Sequence, residues 1–159
     1  MKQTVISRYA DTDFGALELI ETQTRAKLND GQWKTVTLRE WSGKHGELGV
    51  PISVTSTTDP PIVADEIRAA FRDVVANISG FRQLIARSQL ELATEWVTQG
   101  KLNLSLDEDT FSDLLTISAF SVGESRLTVF LEEAANIFAG HLLEARIELG
   151  KDIEICLAG

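Results

Sequence analysis

The stretch LLEARIELGKDIEICLAG, residues 142–159, decides the fold class. Leu143, Ala145, Ile147 and Leu149 alternate with Glu144, Arg146 and Glu148. After the turn Gly150-Lys151-Asp152, Ile153, Ile155 and Leu157 alternate with Glu154 and Cys156. A period of two with one apolar and one polar face is the pattern of antiparallel strands half-buried in a sheet. Working backwards, Leu114–Val122 and Arg126–Leu131 flank Gly123-Glu124-Ser125, a second hairpin signal.

Further upstream the period changes. Val63, Ile67, Ala70, Phe71, Val74, Val75 and Ile78 form one helical stripe, preceded by Asp59-Pro60-Pro61 as an N-cap signal with Asp65 and Glu66 in the first turn. Gly80 marks a break, and Phe81, Leu84, Ile85, Leu92 and Trp96 continue the pattern to a C-cap at Gly100. At the start of the chain, Ala16–Glu21 and the segment to Leu28 read as extended. Asn29-Asp30-Gly31 turns the chain into a strand over Trp33–Trp41, and Ser42–Gly46 reads as a loop before Val50, Ile52 and Val54. Strands, then helices, then strands predict an α+β fold. We expect a mostly antiparallel sheet with two central helices, or one bent helix, on one face. The 159 residues make one domain: a strand block over 1–58, a helical segment over 59–100 and an acidic strand block over 101–159.

The formal charge is −9 and it is unevenly placed. Residues 1–58 balance to zero, residues 59–101 to −1 and residues 102–159 to −8. Phosphate binding needs cations, so nucleic acid and anionic membrane surfaces are poor partners for such a chain. A basic protein is the complementary partner, because opposed fields speed encounter and fix orientation. The acidic residues expected to meet it are Asp107, Glu108, Asp109, Glu132, Glu133, Glu144, Glu148, Asp152 and Glu154. Phe138, in the apolar run Ala134–Ala139, is either a core residue or an apolar anchor inside that acidic rim.

No catalytic signature is legible. His45 lies in a glycine-rich loop and reads as solvated. His141 follows Gly140 at a strand start, where backbone hydrogen bonding is the simpler role. Neither histidine stands in zinc-ligand register with Cys156 or with the other. A calcium loop beginning at Asp107 fails at Phe111 and Ser112, where a ligand and a glycine are required. Cys156 sits among acids rather than the cations or helix end that activate a thiol, so it reads as inert. Trp33, Trp41 and Trp96 read as packing residues. No cofactor or metal is expected. One cysteine permits no internal disulfide, and the N-terminal residues lack an apolar signal core, so the expected location is cytoplasmic.

Phe14-Gly15-Ala16-Leu17-Glu18-Leu19 at the start resembles an FG.L opening strand. Ala139-Gly140-His141, Gly150 and Leu157-Ala158-Gly159 resemble the matching closing hairpin. With a tryptophan-bearing second strand and a central helical pair, the pattern is similar to small bacterial immunity-type domains associated with polymorphic toxin systems. That resemblance implies a non-enzymatic protein that neutralises a cognate toxin by stoichiometric association, and it carries over no catalytic residues. Two other readings stay open from the residues alone. One is an enzyme with a scattered site near His141; the other is an oligomerising module whose sheet edge or final hairpin pairs with a second copy.

Overall fold

Residues 2–56 and 58–159 are described by the structure, a computed structural model. Among them are eight strands: β1 (Lys2–Asp11), β2 (Gly15–Lys27), β3 (Trp33–Lys44), β4 (Pro51–Val54), β5 (Leu115–Val122), β6 (Arg126–Glu133), β7 (Leu142–Glu148) and β8 (Glu154–Ala158). They form one sheet in the order of the sequence, so almost every strand pairs with its neighbour along the chain in the antiparallel sense. The exception is the centre. There β4 and β5 run parallel, with Ile52 beside Phe120 and Val54 beside Val122. A parallel pair needs a long crossover. The crossover here holds the helices α1 (Asp65–Ala76), α2 (Ile78–Gln99) and α3 (Glu108–Leu114). The fold is α+β, two antiparallel meanders joined by one parallel pair.

Register turns the period-two pattern into two faces. One row across all eight strands runs Arg8, Glu18, Ser42, Ser53, Ser121, Thr128, Arg146, Glu154. The adjacent row runs Tyr9, Leu17, Gly43, Ile52, Phe120, Val129, Ala145, Ile155. Successive side chains point to opposite faces, so the second row meets the helices and the first does not. Phe71 of α1 lies edge-on between Phe14 and Phe120, with 5.0 Å between ring centroids on each side. Edge-on pairs of this kind contribute about 0.5–1.5 kcal/mol beyond their buried area. Trp41 is fully buried, and its indole N–H donates to the Thr58 carbonyl at 3.1 Å.

Strand β1 falls inside the strand block expected over residues 1–58. Three expectations are corrected. The Ser42–Gly46 loop is shorter than expected, because β3 continues through Lys44. Asp59 caps no helix: α1 begins at Asp65, and the intervening amides are held elsewhere, that of Ile62 by the Ser56 hydroxyl and that of Ala64 by the Glu124 carbonyl. The break between the long helices falls at Asn77 rather than Gly80. The Asn77 side chain accepts the Gly80 amide at 3.0 Å and caps α2, and a Cβ on Gly80 would lie 2.4 Å from that side chain. The acid cluster at Asp107–Asp109 opens a third helix, α3. It is capped by Asp107, whose carboxylate accepts the Thr110 amide at 2.7 Å.

Candidate functional site

The acidic residues singled out in the sequence are largely engaged within the chain. Glu144 pairs with Arg146 at 2.7 Å, and the same guanidinium reaches Glu154 at 3.8 Å. Glu148 pairs with both Lys151 and Arg126, which hold its carboxyl below the ordinary glutamate range. Glu108 is held low in the same way by Arg87, at 2.8 Å. Asp107 is turned to the α3 cap, and hydrogen bonds from Thr110 lower its carboxyl too. Glu133 accepts the amides of Ala135 at 2.8 Å and Phe138 at 3.2 Å, which pins the loop before β7. Of the nine acids, Asp109, Glu132 and Asp152 are exposed and carry no ion pair among the described residues. The last third of the chain keeps its net negative charge, but six of the nine acids are engaged within the chain, by ion pairs or by backbone amides.

Phe138 is a core residue. It is fully buried, edge-on to Trp96 of α2 at 5.7 Å and to Phe111 of α3 at 6.2 Å. An anchor for a partner must be reachable, and Phe138 is not. His45 is likewise corrected from a solvated residue to a packed one. Its ring lies edge-on to Phe71 at 5.7 Å, and its Nδ1 accepts the Leu48 amide at 3.3 Å. His141 is half-buried, with its backbone N–H donating to the Phe138 carbonyl at 3.0 Å and its ring edge-on to Trp96 at 6.1 Å. It lines a shallow cleft with Glu132, Glu133 and Asn136. Among the described residues no three His, Cys, Asp or Glu side chains group as a metal site.

A different surface stands open. Where α1 turns into α2, the two helices part from the final hairpin and leave a cleft of about 350 Å³. That volume lies at the lower end of the range for ligand-sized clefts. Its walls are Ala70, Val74, Phe81, Leu84, Ile147 and Ile153, predominantly apolar. Leu84 and Ile153 are 45% and 39% exposed and line the same cleft, so their exposure forms one apolar patch rather than isolated contacts with water. Asp73 forms part of the wall. Glu66 stands seven residues earlier on the same face of α1, and Asp152 precedes Ile153; all three are exposed and free of ion pairs among the described residues.

Sequence reasoning assigned Leu84 and Ile153 to apolar faces and named Asp152, but it did not join them. Their juxtaposition depends on how far the Asn77 elbow stands from β8, a distance no local pattern encodes. No protein-family model matches the chain, and neither a curated protein nor a solved structure matches it.

Proposed function

We propose that the chain is a non-enzymatic binding protein of the immunity type, which neutralises a basic protein toxin by stoichiometric association through the groove between the α1–α2 elbow and the β7–β8 hairpin. The observation that carries this reading is the combination of exposed Leu84 and Ile153 with Asp73 in the same wall, together with Asp152 beside Ile153 in the chain and Glu66 two turns before Asp73 on α1. Such a surface suits an apolar side chain flanked by lysine or arginine. Burial supplies the affinity, and the carboxylates supply encounter rate and orientation. The paired acids Glu144, Glu148 and Glu154 add a background field and form no contact of their own in this reading.

The test begins with tagged capture from the native cells at low and high salt, using wild type and a groove variant, Leu84→Lys with Ile153→Lys. A basic partner is expected in near-stoichiometric yield with wild type and absent with the variant. Titrated in purified form, its affinity should fall by about thirtyfold or more, the loss typical of hot-spot residues. Wild type should also suppress the partner's toxicity when the two are expressed together. A partner captured equally by the variant, or one whose toxicity persists in the complex, overturns the reading.

A further inference from the structure

The sheet has one part that no helix-borne core residue reaches. Lys2 at the start of β1 pairs with Gln23, yet β2 runs on to Lys27 and β3 begins at Trp33. Beyond β1 the chain is thus a two-stranded ribbon, closed by the turn at Asn29–Gly31. Residues 22–38 hold Arg25, Lys27 and Lys34 against the single acid Asp30, a net +2 on a chain of −9. All three cations are exposed, and none is ion-paired among the described residues. Asp30 is exposed in the turn, where its carboxylate accepts the Gln32 amide at 2.9 Å. Trp33 is 57% exposed and lies directly opposite Lys27, with Arg25 two residues along on the same face. An exposed indole among unpaired cations is the chemical complement of the groove.

We infer that the ribbon of one copy docks in the groove of a second copy, with Trp33 between Leu84 and Ile153 and with Arg25 and Lys27, on the same face as Trp33, meeting the carboxylates Asp73 and Asp152, while Lys34 on the opposite face adds only to the ribbon's positive field. A tryptophan is the largest single apolar anchor available, and cations beside it meet the carboxylates at the rim. The ribbon cannot reach its own groove. The ladder holds it to β2–β3, and β4, β5 and β6 stand between it and β7 at about 4.8 Å per strand. A polyanion is the weaker match, because three cations oppose the field of the whole acidic body. The contact joins two different patches, so it closes as a reciprocal pair or extends head to tail. It is also small, of the class that associates weakly. The inference rests on the groove being a docking surface, as proposed above. It adds that self-association covers the groove and that a toxin must displace the ribbon to enter.

Sedimentation across a concentration series, at low and high salt, tests this with two variants. Trp33→Ala with Lys27→Glu disables the ribbon; Leu84→Lys with Asp73→Lys disables the groove. All four positions are exposed, so circular dichroism should find both variants folded. Wild type is expected to self-associate more strongly at low salt, with tryptophan emission moving to shorter wavelength as Trp33 is covered. Each variant alone should be monomeric, at least tenfold weaker in self-association. Mixed one to one, they should form a heterodimer that stops at two, because one intact ribbon meets one intact groove. A wild type that stays monomeric throughout, or variants that fail to pair when mixed, overturns the inference. So does a monomer whose Trp33 emission shifts on adding single-stranded DNA or anionic phospholipid vesicles. Failure of the toxin reading looks different: the ribbon variant then captures no partner although the mixed variants still pair.

Discussion

Asp11 closes β1 with a side chain only 1% exposed, and three groups converge on it through four hydrogen bonds. Arg68 of α1 donates to both carboxylate oxygens at 2.9 Å, and the amides of Asp13 and Phe14 donate at 2.8 and 3.0 Å. Arg68 also lies over the Phe14 ring, 4.7 Å from its centroid, and bridges to Asp13, which in turn holds Arg72. Burial pushes the Asp11 carboxyl up. The hydrogen bonds from Arg68, Phe14 and Asp13, with the Arg68 charge, outweigh it and leave the carboxyl below the ordinary aspartate value. A group lowered in the folded state contributes stability above its unfolded pKa, and that contribution is lost as pH falls through the folded value. Asp11→Asn is therefore expected to cost about 3 kcal/mol at neutral pH, since it leaves a half-buried guanidinium short of a charge. The gap to wild type should narrow as pH falls below about 4, where the unfolded aspartate begins to protonate. Urea titrations at a series of pH values check this; a pH-independent gap contradicts it. None of this network was legible in the sequence, because Asp11 and Arg68 are brought together only by the packing of α1 on the first turn. The same holds for Phe138. Its apolar neighbours allowed a core or an exposed position, and only the placement of Trp96 and Phe111 decides between them.

Among the elements, β3 shows how a local signal misleads. Gly43 belongs to a run rich in turn formers, yet it stands inside the strand because β2 crosses it closely. A Cβ there would lie 2.4 Å from the Ala16 carbonyl oxygen and 3.0 Å from a Leu17 methyl. Glycine in a strand often marks such an approach. Gly43→Ala should separate β2 from β3 locally and destabilise by about 1–3 kcal/mol, with Trp41 fluorescence reporting the shift at neighbouring positions. A neutral outcome would mean that the strands move apart freely. Strand β1, inside the expected strand block over 1–58, could not be delimited from the sequence for a complementary reason. Its ladder to β2 shifts register between Val5 and Ser7, so Ile6 breaks the alternation on which strand reading depends. The bulge also bends an open sheet edge away from chance pairing. By contrast, the final hairpin and the α1 stripe were legible because each carries its own periodicity. The stripe holds within α1, where Ile67, Phe71 and Val74 are buried; Val63 is buried ahead of the helix and Ile78 opens α2.

Over the whole molecule, the charge totals by segment were correct, but their meaning was not fixed by them. Arg126, Arg146 and Lys151 pair with Glu148 and Glu144, so the final hairpin presents fewer free carboxylates than its sequence suggests, and Asp73 stands unpaired among the described residues in the groove wall. Burial is just as uneven. The strands from β4 to β7 contain a succession of fully buried residues, whereas Trp33–Glu40 of β3 is exposed except at Val36, which is partly covered. Local opening follows buried apolar contact. Amide hydrogen exchange in the monomer should therefore run fastest in residues 24–38 and slowest in β5 and β6, by several orders of magnitude. Uniform protection along β2 and β3 in the monomer would mean that the ribbon is held by something other than the ladder.

The parallel pair at the centre has a consequence for the order in which the molecule assembles. Within each meander a strand finds its mate across a short turn, so both halves can zip locally from either end. Ile52–Val54 and Phe120–Val122 meet only after some sixty intervening residues have been looped back. Closing a loop of that length carries an entropic cost that grows with the logarithm of its span, and the reward comes only when the helices have condensed onto the sheet. The joint is thus the clasp of the fold: two strips ready early, and one fastening that waits for the longest detour in the chain.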